Sequence, residues 1–132
     1  MKKKILIVMA DYYETISKGL LHNTKKVLQE PFDLISVPGV FEIPVTIAKN
    51  IKKYDGFIAL GCVIKGETPH FDLISKAAID GIMKLSIEYK KPIGNGIITC
   101  LNLKQAIARQ KKGQEAAAAL LSVLNPAKVS TE

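Results

Sequence analysis

The stretch Phe57-Ile58-Ala59-Leu60-Gly61-Cys62-Val63-Ile64-Lys65-Gly66-Glu67-Thr68-Pro69-His70-Phe71-Asp72 decides the fold. Phe57–Val63 is apolar without alternation, the mark of a strand covered on both faces. From Phe71 the period changes. Phe71, Ile74, Ala78, Ile82, Leu85 and Tyr89 recur at spacings of three and four, which predicts a helix over Phe71–Tyr89. Between strand and helix lie a glycine, a cation, a carboxylate, a threonine and a histidine, groups that a core does not need. In an open parallel sheet, ligands bind in the crevice beyond the carboxyl ends of the strands. Backbone N–H groups at a helix start attract anions there.

The flanking chain repeats this alternation. Upstream, Ile5–Met9 and Phe32–Val37 read as strands. A helix from Thr15, with Ile16, Leu20, Leu21 and Val27 on one side, is expected to stop before Pro31. Glu42–Lys53 reads as a helix with Ile43, Ile47, Ala48 and Ile51 inward and Pro44 in its first turn. Tyr54-Asp55-Gly56 is a turn. Downstream, Ile93–Cys100 is a fourth strand, and Asn102 is an N-cap for a helix over Leu103–Gln110. Gly113 is expected to separate it from an Ala-rich helix, Gln114–Leu124, with order ending at Asn125-Pro126. Strands alternating with helices imply βαβ units. The expectation is one α/β domain over residues 1–132, a three-layer α/β/α sandwich with a four-stranded parallel sheet of flavodoxin-like type. On the Phe71–Tyr89 helix, Ile79, Met83 and Ile87 widen the apolar arc, which serves either a deeper core or a subunit contact.

Composition narrows the function classes. At 132 residues and 48% hydrophobic, the chain suits one globular domain and excludes disorder. No apolar run approaches the ~18–20 residues that span a bilayer. Lys2-Lys3-Lys4 and Ile5–Met9 mimic the start of a signal peptide, but Asp11 and Glu14 follow with no small-residue cleavage site. Cys62 and Cys100 lie in apolar strands, as buried thiols of a reducing cytoplasm do, and no metal-ligand spacing occurs. A net charge of +7 invites a nucleic-acid reading. Yet the lysines come as scattered pairs (Lys25-Lys26, Lys52-Lys53, Lys90-Lys91, Lys111-Lys112) without interleaved aromatics. The expectation is a solvated surface, with neither nucleic acid nor membrane as partner.

Three loops follow strands: Ala10–Glu14, Pro38–Glu42 and Lys65–His70. His70, at the strand-to-helix handover, is either surface decoration or a proton-transfer group; imidazole has an ordinary pKa near ~6.5 that suits the latter. Gly66, Glu67 and Thr68 offer donors suited to phosphate. Glu42 either complements a helix dipole or accepts hydrogen bonds from ligand hydroxyls. Tyr12 and Tyr13 either stack on a planar ring or close the sheet edge. Arg109 is a bidentate phosphate binder or a helix-end cation. His22 reads as surface. Phosphate-loop, dinucleotide and nucleophile-elbow signatures are absent, and a phosphoreceiver would need an aspartate where Cys62-Val63 stand.

Val37-Pro38-Gly39-Val40-Phe41-Glu42-Ile43-Pro44, followed at this distance by Ala59–Asp72 and a long helix, resembles the lumazine synthase family. The similarity runs from the first strand to the Gly-x-Glu-Ala-Ala start of the last helix at Gly113–Ala117. The resemblance implies a cytoplasmic enzyme of riboflavin biosynthesis with no metal and no cofactor. It condenses 5-amino-6-(D-ribitylamino)uracil with 3,4-dihydroxy-2-butanone 4-phosphate to 6,7-dimethyl-8-ribityllumazine. It further implies His70 as the proton-transfer residue and Glu67-Thr68 as the phosphate-substrate loop. Val40, Phe41, Glu42, Cys62, Val63 and Ile64 would hold the ribityl-pyrimidine, with Tyr12 stacked on its ring. Arg109 would bind phosphate from a neighbouring subunit of a homo-oligomer, of which a pentamer is expected here, with the site at the subunit interface. The chain departs from the family in four places, one of them a short connection between the first helix and the second strand. Asp11-Tyr12-Tyr13 stands where Arg-Phe-Asn is usual, and Asn95 stands where an aromatic commonly lines the pyrimidine pocket. Residues are also missing between Arg109 and Gly113, where Lys111 or Lys112 stands in for a basic residue. These departures motivate the alternative of a non-catalytic relative that binds a flavin or lumazine or forms a shell.

Overall fold

The computed structural model describes residues 2–126 and 129–131. Its elements are β1 (Ile5–Ala10), α1 (Glu14–Val27), β2 (Asp33–Val37), a 3-10 turn (Val40–Glu42), α2 (Ile43–Asn50), β3 (Gly56–Ile64), α3 (His70–Tyr89), β4 (Ile93–Cys100), α4 (Leu103–Ala108) and α5 (Lys112–Leu124). The four strands form one sheet in the order β2-β1-β3-β4, every pair parallel, with Ile7 opposite both Leu34 and Ile58. A three-layer α/β/α sandwich results, as the alternation of patterns implies.

The unbroken apolar strands are explained by two cores, one on each face. Ile5, Ile7 and Met9 of β1, with Ile58, Leu60 and Cys62 of β3, meet α1 and α5 through Ile16, Leu20, Ala117 and Leu120. The alternate residues Leu6, Val8, Phe57 and Ala59 meet α2 and α3 through Ile43, Ile47, Ala78 and Ile82. The period of two along a strand assigns successive side chains to opposite layers. Both central strands therefore must be apolar throughout.

Several boundaries differ from expectation. Helix α1 does stop before Pro31, at Val27, where Leu28 turns extended and buries its side chain in the core, but it starts at Glu14 rather than Thr15. The expected Glu42–Lys53 helix is a 3-10 turn followed by the shorter α2, with residues 51–53 in turns. Helix α3 begins at His70 itself. Gly113 does not separate two helices but lies inside α5, which starts at Lys112. A Cβ there would stand 2.2 Å from the Leu20 carbonyl oxygen, so only glycine lets α5 approach α1 so closely. The Thr24 hydroxyl, 2.8 Å from the Leu20 oxygen and 3.2 Å from the Gly113 oxygen, ties the two helices together. Asn102 caps α4 as expected, its side chain accepting from the Gln105 N–H at 2.9 Å.

The wide apolar arc of α3 is resolved in part. Ala78 and Ile82 are buried and Ile79 is half-buried, whereas Met83 and Ile87 are 57% and 69% exposed. Within one chain these two residues are not core. Of the charge ladder opposite, Lys76 and Asp80 pair at 2.7 Å in solvent, where screening leaves little net stabilisation.

Candidate active site

Strand β1 lies between β2 and β3, so the chain leaves its carboxyl end in one direction for β2 and β3 lies on its other side. That reversal opens a crevice at the β1/β3 crest, the switch point where doubly wound folds bind ligands. Gly61 is necessary to it. A Cβ at Gly61 would stand 2.6 Å from Val40 Cγ1 and 3.1 Å from the Ala10 Cβ, so glycine allows the 3-10 turn to seat against β3. The Ser17 hydroxyl donates to the Ala10 carbonyl and fixes the start of α1 beneath the first loop.

A cavity of about 450 Å³ fills this crevice, lined by Tyr12, Tyr13, Gly39, Val40, Phe41, Glu42, Cys62, Val63, Ile64, His70 and Ile74. Eight residues singled out in the sequence thus converge: Tyr12 of the first loop, Val40–Glu42 of the 3-10 turn, Cys62–Ile64 at the end of β3 and His70 at the start of α3. Tyr13, left open above, also lines it, and Gly39 and Ile74 were not assigned at all. Ile74 belongs to the apolar stripe of α3 and carries no sequence signal that separates cavity wall from core.

Each polar group is held for a reason. Glu42 Oε1 accepts the Gly39 N–H at 3.0 Å, which closes the turn and leaves the second carboxylate oxygen for a ligand hydroxyl. The Tyr12 and Tyr13 rings meet edge to face, centroids 4.9 Å apart, and Tyr12 is 76% exposed, a free apolar face at the mouth. Burial raises the Tyr13 phenol above its usual range, with Tyr12 and Cys62 adding to the effect. Burial likewise pushes the Cys62 thiol up to about 12, Cys100 beside it contributing. Both stay protonated at neutral pH, which rules out a thiolate nucleophile here. His70 is exposed at the first turn of α3, its backbone N–H donating to Thr68 Oγ1 at 3.3 Å.

The other assigned residues lie apart. Asn95 and Arg109 line a second hollow of about 500 Å³ along β4, the edge strand, with Thr99, Lys111, Lys112 and Glu115. Arg109 donates to the Thr99 carbonyl at 3.4 Å, and Lys112 faces Glu115 at 3.8 Å. Glu67 and Thr68 are exposed on the loop before α3 and line neither hollow. Among the described residues, no group of three His, Cys, Asp or Glu could hold a metal ion.

A doubly wound α/β fold with an aromatic-lined cleft at its β1/β3 switch point defines a flavodoxin-like small-molecule-binding class. Residues 2–128 match the family model described as 6,7-dimethyl-8-ribityllumazine synthase. A protein of that name from Bartonella bacilliformis is 45% identical over 118 residues, covering 84% of this chain and 78% of the relative. Those of Agrobacterium fabrum and Limosilactobacillus reuteri are each 41% identical, covering 93% and 92% of this chain and 93% and 85% of the relatives. The chain belongs to the 6,7-dimethyl-8-ribityllumazine synthase family.

Proposed function

We infer that the chain condenses 5-amino-6-(D-ribitylamino)uracil with 3,4-dihydroxy-2-butanone 4-phosphate to 6,7-dimethyl-8-ribityllumazine, a step of riboflavin biosynthesis. The observation that carries this reading at the site is the single cavity uniting Val40–Glu42 with Cys62–Ile64 and His70. The apolar wall of Val40, Val63 and Ile64 suits the pyrimidine, Tyr12 its face, and the free Glu42 oxygen the ribityl hydroxyls. The primary amine of the uracil adds to the ketone, and loss of water gives an imine. Phosphate then leaves, and attack by the ribitylamine nitrogen closes the ring with release of a second water. Each step moves a proton. His70, at the open end of the cavity, is the group to carry it.

Phosphate recognition falls to Arg109 with Lys111 or Lys112, and to the Glu67-Thr68 loop. Because Arg109 and Asn95 face a different hollow from His70, a site that uses both is completed by a neighbouring subunit. The exposed apolar residues Met83 and Ile87 on α3, together with Leu103 and Ile107 on α4, supply a contact surface for it. A homo-oligomer, of which the pentamer is our proposal, acts in the cytoplasm as a single-domain enzyme. No helix among the described residues is long and apolar enough to cross a membrane.

Purified protein incubated with both substrates tests the reading directly, with lumazine followed by its fluorescence. Product formation is expected. Riboflavin or lumazine binding without turnover would instead select the non-catalytic alternative suggested by Asp11, Tyr13 and Asn95.

A further inference from the structure

The lysine pairs that are scattered in sequence are gathered in space. A parallel sheet places every strand's amino end on one edge, and the carboxyl ends of the connecting helices arrive at that same edge. Lys2–Lys4 lead into β1. Lys25 and Lys26 close α1 on the way to β2, Lys52 and Lys53 precede β3, and Lys90 and Lys91 precede β4. One basic group therefore stands at the foot of each strand, in the spatial order β2-β1-β3-β4. Lys25 and Lys26 end α1 on one face of the sheet, and Lys52, Lys53, Lys90 and Lys91 follow α2 and α3 on the other, so the row is a broad basic band rather than a line. Hydrogen bonds across this edge hold the row together: the Asp55 N–H donates to the Lys4 carbonyl at 2.8 Å and the Phe57 N–H to the Pro92 carbonyl at 3.0 Å.

These nine lysines account for most of the chain's positive balance, since the opposite edge mixes both signs. None of the nine makes an ion pair among the described residues, whose pairs involve Lys18, Lys76 and Lys112. Four carboxylates share this edge with the nine lysines, namely Glu30, Asp33, Asp55 and Glu88, which leaves it net positive. The Tyr54 hydroxyl donates to Asp33 at 2.6 Å and the Lys4 N–H to Asp55 at 2.7 Å. The row lies opposite the cavity, so substrate binding does not explain it. Ile87, Tyr89 and Val123 are exposed near the carboxyl ends of α3 and α5 at this edge, but the lysines come from several separate elements rather than from one amphipathic helix laid on a lipid surface.

We propose that the amino-terminal edge of the sheet binds the phosphate backbone of nucleic acid, without sequence preference. Lys91 Nζ is already spent on the Ile51 carbonyl at 2.5 Å, but the remaining clustered ammonium groups complement a polyanion, and lysine engages phosphate as a point charge that reads no base. Spacing along the chain predicts a diffuse solvated surface, and the band departs from that expectation because the parallel sheet returns Lys25-Lys26, Lys52-Lys53 and Lys90-Lys91 to one edge.

Fluorescence anisotropy of the full-length protein with a labelled single-stranded RNA tests it, alongside vesicles of anionic and neutral lipid. Binding is expected to weaken linearly in log–log form as salt rises, the signature of counterion release. Replacing Lys3, Lys52, Lys53 and Lys90 together with glutamine should weaken RNA binding about tenfold or more and flatten the salt slope, with lumazine formation unchanged. A matched variant, Lys18, Lys76, Lys84 and Lys104 to glutamine, should bind RNA nearly as the parent does. Equal loss in both variants, no RNA binding at low salt, or a preference for anionic vesicles over RNA would each overturn the proposal.

Discussion

The two hollows of this chain are built on opposite plans. The cavity at the β1/β3 crest is floored by the two central strands, where Leu60, Gly61 and Cys62 are buried, and is walled by aromatic and apolar groups. The hollow along β4 stands on an edge strand, is carried by the short helix α4 and the start of α5, and is cationic. The first suits a planar ring with hydroxyls and a moving proton; the second suits an anion. A two-substrate reaction with a phosphate leaving group needs both. One chain offers them on separate surfaces, and that separation is the physical basis for proposing a shared site.

The largest expected effect comes from breaking the first hollow. His70→Ala should lower kcat by about 10²-fold or more, the usual worth of a positioned proton-transfer group, with the protein still folded and oligomeric. Near-full activity would mean that positioning alone drives the reaction. Co-expression of His70→Ala with Arg109→Ala subunits sharpens the contrast. If each site takes its cavity from one subunit and its phosphate grip from the next, about one quarter of the sites in a 1:1 mixture regain both groups. If both groups serve within one chain, none do.

Arg109→Ala alone should act on the second hollow, raising KM for the phosphate substrate about 10- to 100-fold as a charge-assisted contact is lost. The KM for the ribitylaminouracil should change little, as steady-state titration of each substrate will show. Two glycines then test the supports. Gly61→Ala pushes the 3-10 turn from β3, and Gly113→Ala pushes α5 from α1; each should cost about 1–3 kcal/mol of stability by thermal unfolding. The first should impair ribitylaminouracil binding and the second phosphate-substrate binding. The same kinetic signature from both would deny the hollows their independence.

The smallest effect is one of pH. Folding holds the Cys62 proton up to about 12, whereas an unfolded thiol releases it near ~8.5. Above that value the folded state binds more protons than the unfolded one, so stability is fully present at neutral pH and declines as pH rises through this window. Chemical denaturation from pH 8 upward should show the decline in the parent and a shallower one in Cys62→Ala, on the order of one proton's linkage.

Much of the fold was legible because buried parallel strands and amphipathic helices leave distinct periods. Phe57–Val63 as a strand and Phe71–Tyr89 as a helix have no competing reading. Boundaries were less so, since they depend on tertiary contacts. Leu28 leaves α1 to reach the core, and Gly113 reads as a breaker in isolation but is the contact point of two helices. At the site, chemistry-bearing residues stand out when they sit where a core needs none, as His70 and Glu42 do. Ile74 and Gly39 do not stand out, because wall residues are chemically the same as packing residues.

By itself, then, the sequence determined the alternation of elements, the two motifs at Val37–Pro44 and Ala59–Asp72, and through them the reaction. Only the tertiary structure decided which of these residues meet. A parallel sheet sends all strand carboxyl ends to one edge and all amino ends to the other. It thereby joined Val40–Glu42 to Cys62–Ile64 and His70, set Arg109 and Asn95 apart beside β4, and drew scattered lysine pairs to one edge. Distance along the chain records none of this, because each crossover returns the chain to the same two edges.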